Sequence, residues 1–313
     1  MSSLDDASPQ HAARPAVPHQ HLQEVARHVA SGKCILFLGA GVHSPPDDPK
    51  LLERYQYTAK DAPPRGKALS IHLAKTCGYD EEFPEEDFDH LQRMSMAFQQ
   101  RKGRPALAQE ITDQVSNGKR PSPVLNALAR MPFRIVITTN YDRLFEKALT
   151  RAEKEYEHCI YSRDENHPTP DLPGDIPSPS RPFVLKIHGD IQHRDSLVVT
   201  DEDYIHFILR MGDKPSVNPV PLGVRNFMRW WPTLFVGYSL NDYNLRLLFK
   251  TLRWGVDRAS FPTSYSVDPW PDPLLVRVFG EGAEPQIFFI TQDVWTFVPA
   301  LHGLLYGGEE MPL

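Results

Sequence analysis

Cysteine is the first scarcity. Three residues, Cys34, Cys77 and Cys159, are scattered through 313 positions, and no two share a Cys-x-x-Cys spacing. That spacing gives neither a disulfide framework nor the thiolate set of a structural zinc site, so no metal is expected. Long apolar runs are missing as well: none approaches the roughly 20 residues of a bilayer-spanning helix. The opening Met-Ser-Ser-Leu-Asp-Asp-Ala-Ser-Pro-Gln has no apolar core of the kind a secretory signal needs. The expectations are no membrane contact and a cytoplasmic location. Positive charge is also not in excess. A net charge of -6 leaves no basic stripe for phosphates, which argues against direct nucleic-acid binding. No internal repeat is visible, which sets aside solenoids and propellers.

What is present is the composition of a soluble globular protein, with 41% hydrophobic and 24% charged residues. The length suits one α/β domain, or one with an inserted lobe. Thirty prolines gather at the start, around 45–64, at 168–182 and at 262–273, and mark those stretches as loops. Residues 1–18 are polar and read as a flexible arm, with irregularly spaced histidines that give no metal pattern. Residues 19–313 read as one domain.

Four short apolar runs set the architecture. Cys34–Leu38, Phe133–Thr138, Phe183–Ile187 and Thr233–Val236 are continuous and rich in aliphatic residues. Such runs read as strands buried on both faces, the mark of a parallel sheet. Thr263–Val267 and Gln286–Ile290 are further strands, and Ser196–Val199 is short and β-like. Helical spacing covers Gln20–Ala30, Lys67–Cys77, Asp87–Arg101, Pro105–Ser116, Val124–Arg130, Leu222–Trp231 and Val294–Leu305. Thr200 and Asp203 form a capping box for a helix over Asp201–Met211. Leu245, Leu247, Leu248 and Leu252 share a helix capped by Asn241 or Asp242. The fold class is therefore α/β, a Rossmann-like parallel sheet with helices on both faces. An all-helical lobe is inserted at about 45–130, and no zinc ribbon can be built. Residues 159–182 form a long Pro-rich loop suited to a lid. Met94, Met96 and Phe98 read as core of the helical lobe rather than as a ligand pocket.

Each of the four buried strands ends in a polar or glycine-containing cluster: Gly39-Ala40-Gly41, Thr138-Thr139-Asn140-Tyr141-Asp142, His188-Gly189-Asp190, and Gly237-Tyr238-Ser239-Leu240. Parallel strands send all their carboxyl ends to one side, so these clusters converge on one crevice. A Cβ in the first turn would hold the backbone away from a pyrophosphate, which gives its glycines a reason. Ser44 stands where the Rossmann pattern has its third glycine, and Pro45 and Pro46 delay the helix that should follow. Each motif also has a plain reading: a tight turn, an Asx-turn, a helix cap or a core histidine.

Taken in order, the motifs resemble the sirtuin-like family over roughly residues 34–267. Gly39-Ala40-Gly41 is similar to its phosphate loop, Thr138-Thr139-Asn140-Tyr141-Asp142 to its Thr-x-Asn-x-Asp motif, and His188-Gly189 to its His-Gly pair. Gly237-Tyr238-Ser239-Leu240 is similar to the Gly-x-Ser-Leu segment beside the adenosine of the cofactor. The wording His188-Gly189-Asp190-Ile191, Asp203-Tyr204 and Asn241-Asp242 resembles the branch found in bacterial antiphage defence, whose members resemble NAD hydrolases. The resemblance implies NAD as substrate and catalytic roles for Asn140 and His188. It also implies cofactor contacts from Gly39, Ala40, Gly41, Ser44, Thr139, Asp142, Gly237, Ser239 and Asn241. It further implies control through a homo-oligomer or a separate sensor protein. His43 replaces the serine usual after Gly-Ala-Gly-x, and Ser44 is the neighbour able to supply that hydroxyl. A NAD-dependent protein deacylase, or a module that binds NAD or ADP-ribose without turnover, are the alternatives. The missing zinc cysteines count against the deacylase.

Overall fold

Isoleucine, leucine, valine and phenylalanine dominate the middle of the sheet, and the reason is burial on both faces. Every residue of β1 (Ile35–Leu38), β2 (Ile135–Thr138), β4 (Phe183–Lys186) and β5 (Thr233–Val236) is buried. The computed structural model describes residues 19–164, 169–172, 177–211, 218–238, 240, 262–281 and 285–312. Three more strands, β3 (Glu157–Ile160), β6 (Ser264–Val267) and β7 (Ile287–Ile290), complete a seven-stranded sheet. Its order is β3-β4-β2-β1-β5-β6-β7, and all six pairings are parallel. The chain runs outward from β1 to one side, then returns to lay β5 against its other edge. That reversal beside β1 is where open α/β sheets leave a crevice for ligands.

Alternation along the strands divides the core in two. Leu36, Leu38, Val136, Val184, Leu234 and Val236 face one cluster. It is covered by α1 (His19–Ala30), α7 (Pro123–Arg130), α8 (Leu144–Arg151) and the last helix, Val294–Leu305. Ile35, Phe37, Ile137, Leu185 and Phe235 face the other, under α9 (Asp201–Met211) and α10 (Leu222–Trp230). Each such side chain removed from water contributes about 2 kcal/mol before conformational entropy is charged against it.

Between β1 and β2 the chain forms α2 (Pro49–Tyr55), α3 (Gly66–Cys77), α4 (Tyr79–Glu82), α5 (Leu91–Lys102), α6 (Arg104–Ser116) and α7. Helices α3, α5 and α6 share their own apolar cluster, which holds Met94 and Phe98, whereas Met96 is exposed. That cluster also takes in Tyr141, Ile191, Leu197 and Val199 from the strand-end loops. Tyr55, Tyr57 and the whole of α7 pack instead into the main core, although the sequence grouped them with the insertion.

Three stretches differ from the sequence reading. Helix α2 lies inside the Pro-rich 45–64 segment, because Pro49 sits at a first-turn position and Asp48 accepts the Lys50 N–H at 2.8 Å. Strand β3 occupies the start of the expected 159–182 loop, as an edge strand paired only with β4. Ser196–Val199 is not a strand: it has no partner strand among the described residues, and the Val198 N–H donates to the His188 carbonyl at 3.0 Å. The expected 1–18 arm, Ser239, Asn241, Asp242 and the helix carrying Leu245 to Leu252 lie outside the described residues.

Candidate active site

The glycine turns meet first. The Gly41 N–H donates to the Gly237 carbonyl at 2.7 Å. A Cβ on Gly39 would stand 2.5 Å from that same oxygen, and one on Gly237 would stand 2.1 Å from the Val42 nitrogen. Gly237 also has φ +67°, which side-chain-bearing residues rarely adopt. The two loops touch backbone to backbone, a local reason for these glycines that the sequence did not reveal. After Gly39 the chain enters a short 3-10 turn, Ala40–His43, in place of a Rossmann helix. Ser44 closes it, its N–H donating to the Gly41 carbonyl at 3.1 Å, and its own carbonyl accepts from Trp295 Nε1 at 2.8 Å. Ala40, Gly41, Ser44, Thr139 and Tyr238 are half-buried, so this edge of the sheet keeps some access for a ligand.

The turn delivers His43 to the next loop. His43 is 2% exposed, and its Nε2 lies 3.2 Å from Asp142 Oδ2 and 3.2 Å from Asn140 Nδ2. A carboxylate accepts, so Nε2 carries the proton toward Asp142. One N–H then cannot accept from the Asn140 amide. With that amide rotated, its oxygen accepts from Nε2 and its NH2 turns away from His43. Asp142 Oδ1 accepts the Leu144 N–H at 2.9 Å and so starts α8. Burial alone pushes the Asp142 carboxyl up. The charge and hydrogen bond of His43, the Lys186 ammonium and the Leu144 N–H outweigh it and hold the group down to about 2. Thr138 Oγ1 accepts the Asn140 N–H at 3.0 Å and donates to the Leu38 carbonyl at 3.2 Å, which fixes the loop on β1. The Thr139 N–H donates to that same carbonyl at 3.4 Å.

His188 follows from register. Thr138 pairs with Lys186, so Asn140 and His188 each lie two residues beyond one paired rung of β2 and β4. The His188 ring packs edge-on against Tyr204 and Phe207 of α9, with centroids 5.1 and 5.4 Å away. Its Nδ1 is 3.3 Å from the Tyr204 hydroxyl. For Nε2 to accept a proton, Nδ1 must keep its own and donate to that hydroxyl. Asp190, fully buried, accepts the Gln192 N–H on Oδ1 at 2.8 Å, and its own N–H donates to the Ser196 hydroxyl oxygen at 3.0 Å.

Beneath these loops sits a group that sequence reasoning missed. Glu146, His158 and Asp190 offer three ligand-type atoms within 4.8 Å of one another. Lys186 Nζ lies 2.8 Å from Asp190 Oδ2 and 3.4 Å from Glu146 Oε1. A lysine inside the otherwise apolar run of β4 was the signal in the sequence. His43 was missed as a partner of Asn140 and Asp142, since it was read only as a departure from serine. Of the sequence-derived candidates, the structure joins Gly39, Gly41 and Gly237 through one turn and Asn140 with Asp142 through His43.

Residues 134–284 match a family described as SIR2-like domain. Defense-associated sirtuin 2 of Bacillus subtilis is 23% identical over 259 residues, 81% of this chain and 22% of its own length. NAD(+) hydrolase ThsA of Acinetobacter baumannii is 29% identical over 151 residues, 48% of this chain and 28% of its own length. ThsA of Bacillus cereus is 29% identical over 133 residues, 42% and 25% of the two lengths. The chain thus spans about a quarter of the length of the curated relatives it matches.

Proposed function

We propose that this chain, whose residues 134–284 match a SIR2-like domain and which is similar to a defence-associated sirtuin and to NAD(+) hydrolases, is itself a NAD glycohydrolase. The substrate is NAD, the bond broken joins C1′ of the ribose to the nicotinamide nitrogen, and the products are nicotinamide and ADP-ribose. The bond's electron pair leaves with nicotinamide. Water attacks C1′ and gives up a proton. A protein speeds this step by holding the anomeric centre in a dry, fixed crevice beside an amide and a base.

The observation that carries the proposal is the buried Asp142–His43 pair with the half-buried Asn140 beside it, at the same sheet edge as the interlocked glycine turns. Asp142 and His43 leave the Asn140 amide one orientation, suited to holding a water or a ribose hydroxyl. His188, steadied by Tyr204, is the base in this reading. Gly39, Ala40, Gly41, Ser44, Thr139 and Gly237 form the edge against which the cofactor lies. Ser239 and Asn241 keep the adenosine roles that the resemblance gave them.

The role extends to depletion of NAD during antiphage defence in the cytoplasm, with turnover governed by assembly with a second copy or with a sensor protein of the same system. No described helix is long and apolar enough to cross a membrane. Trp230, at the end of α10, stands 73% exposed and suits an assembly contact.

The test is to incubate the purified chain with NAD and follow free nicotinamide over a range of protein concentrations, with mass from light scattering. Release without any peptide supports hydrolysis. Release only with an acylated peptide would make the protein a deacylase, and binding without release a ligand-binding module. Full-rate hydrolysis by a monomer at every concentration would remove control by assembly.

A further inference from the structure

The loops that hold Asn140 and His188 are tied together by a cation that belongs to the chain. Lys186 ends β4 and is fully buried. Val184, two residues earlier, packs in the cluster that α8 covers, and alternation sends Lys186 to the same face. Its ammonium donates to the Tyr141 carbonyl at 3.2 Å and to the Asp142 carbonyl. Those carbonyls directly follow Asn140. On its other side the ammonium pairs with Asp190, two residues after His188, at 2.8 Å, and with Glu146 at 3.4 Å. The Ile191 N–H also reaches the Tyr141 carbonyl at 3.1 Å, so both loops meet at one oxygen.

A buried ammonium is costly unless its donors are all used by good acceptors. Here two carbonyls from one loop accept from it, and the Asp190 carboxylate of the other loop pairs with its charge. We propose that Lys186 is a positioning residue that locks the Asn140 loop to the His188 loop in the geometry turnover requires. The proposal rests on the reading of these loops as a NAD-cleaving site.

A divalent metal is the competing occupant. Glu146 Oε1, His158 Nε2 and Asp190 Oδ2 take part in ion pairs but in no hydrogen bond among the described residues, and they lie within 4.8 Å of one another. A metal needs each ligand atom at about 2.1 Å. The Lys186 ammonium already stands 2.8 and 3.4 Å from two of those oxygens, so the metal would be pressed against a like charge. Arg143 Nε, 3.8 Å from Asp190 Oδ2, adds to that repulsion. The ammonium supplies the positive charge that these carboxylates need.

Lys186→Met alone would leave Glu146 and Asp190 facing each other without their cation. The variant to test is therefore Lys186→Met with Glu146→Gln, compared with the wild-type chain. Hydrogen exchange over residues 139–144 and nicotinamide release are both measured, and bound metal is assayed in the wild type. The expected result is a folded protein whose 139–144 amides exchange at least tenfold faster. KM for NAD should stay within threefold while kcat falls at least tenfold. Unchanged exchange in the folded double variant overturns the proposal. So does failure of the double variant to fold, which would make the lysine a plain stability element. One equivalent of divalent metal, with chelation reproducing the fast exchange, would give the site to the metal instead. A wild-type chain that releases no nicotinamide even when assembled with a second copy or with its sensor protein defeats the hydrolase reading alone, because the exchange comparison still decides the role of Lys186.

Discussion

His43 Nε2 lies 3.2 Å from Asp142 Oδ2, with the two side chains only 2% and 6% exposed. A histidine on the glycine turn thereby fixes a carboxylate on the neighbouring loop, and through Asn140 it reaches the candidate reacting centre.

That pair should be visible in acid. The Asp142 carboxyl is held down to about 2 from its ordinary 3.8, because His43, Lys186 and the Leu144 N–H more than offset burial. A depressed folded-state pKa adds stability that is complete above the unfolded value and is lost as pH falls through the folded one. The contribution is about 2 kcal/mol, lost mainly between pH 4 and 2. Melting temperature against pH should drop in that window for the wild type and be flatter for Asp142→Asn.

His43→Ala strips the same carboxylate of its neighbour. Breaking a buried pair from one side costs about 3 kcal/mol, because a charge is left without compensation. Chemical denaturation at pH 7 should show that loss, and nicotinamide release should fall with it. A variant as stable as the wild type would mean that Asp142 finds other partners.

Asn140→Ala and His188→Ala should each lower nicotinamide release by about 100-fold or more, the scale of losing one positioned polar or proton-transferring group. Asn140 is half-buried, so Asn140→Ala should melt close to the wild type, whereas His188→Ala removes a buried ring packed against Tyr204 and Phe207 and should lower the melting temperature by several degrees. Wild-type turnover in both would remove the assignment of the site.

The glycine turns offer a contrast. Gly237→Ala places a Cβ 2.1 Å from the Val42 nitrogen at φ +67°, so the two turns must separate. A loss of more than about 2 kcal/mol and weakened NAD binding are expected. Gly66→Ala, at the start of α3 with nothing within 4 Å of the new Cβ, should be neutral or gain up to about 1 kcal/mol. Equal stabilities for the two variants would contradict this account.

Asp203 joins three elements. Its carboxylate accepts the Val199 and Thr200 N–H groups at 3.0 and 3.1 Å and pairs with Arg104 at 2.7 Å and Arg163 at 2.6 Å. Asp203→Ala leaves two buried N–H groups without an acceptor, a loss of about 3 kcal/mol. The melting temperature should fall by several degrees, with faster hydrogen exchange across 197–200. A shift under one degree would show that the arginines and the cap matter little.

Most of the architecture was legible because it rests on burial. Runs such as Ile35–Leu38 and Thr233–Val236 have no polar face, and only the middle of a parallel sheet hides both sides. The capping box of Thr200 and Asp203 was equally readable, since its two reciprocal bonds depend on local spacing. Strand β3 escaped because Glu157-His158-Cys159-Ile160 has no apolar period and draws its pairing from β4 alone. Helix α2 escaped because Pro49 was taken as a loop marker when it sits at a helix start. Ser196–Val199 misled in the other direction: Val199 is buried against the helical lobe and Val198 in the core under α9 and α10, without strand pairing among the described residues. In the site, residue types were visible and partnerships were not. Nothing in the spacing says that His43 faces Asp142 or that Lys186 faces Asp190, since those meetings depend on which strands become neighbours.

The position of β1 between β2 and β5 bears on synthesis. Ile35 pairs with Ile135 on one edge and with Thr233 on the other. The second partner comes 198 residues later. At translation rates of about 5–20 residues per second, that is a delay of roughly 10 to 40 s. Through that interval the Ile35–Leu38 edge has no strand to meet, and an apolar edge left open invites pairing with another nascent chain. Helix α1 is made before β1, and the helices between β1 and β2 follow well before β5, so helices cover the strand's faces long before that edge is paired.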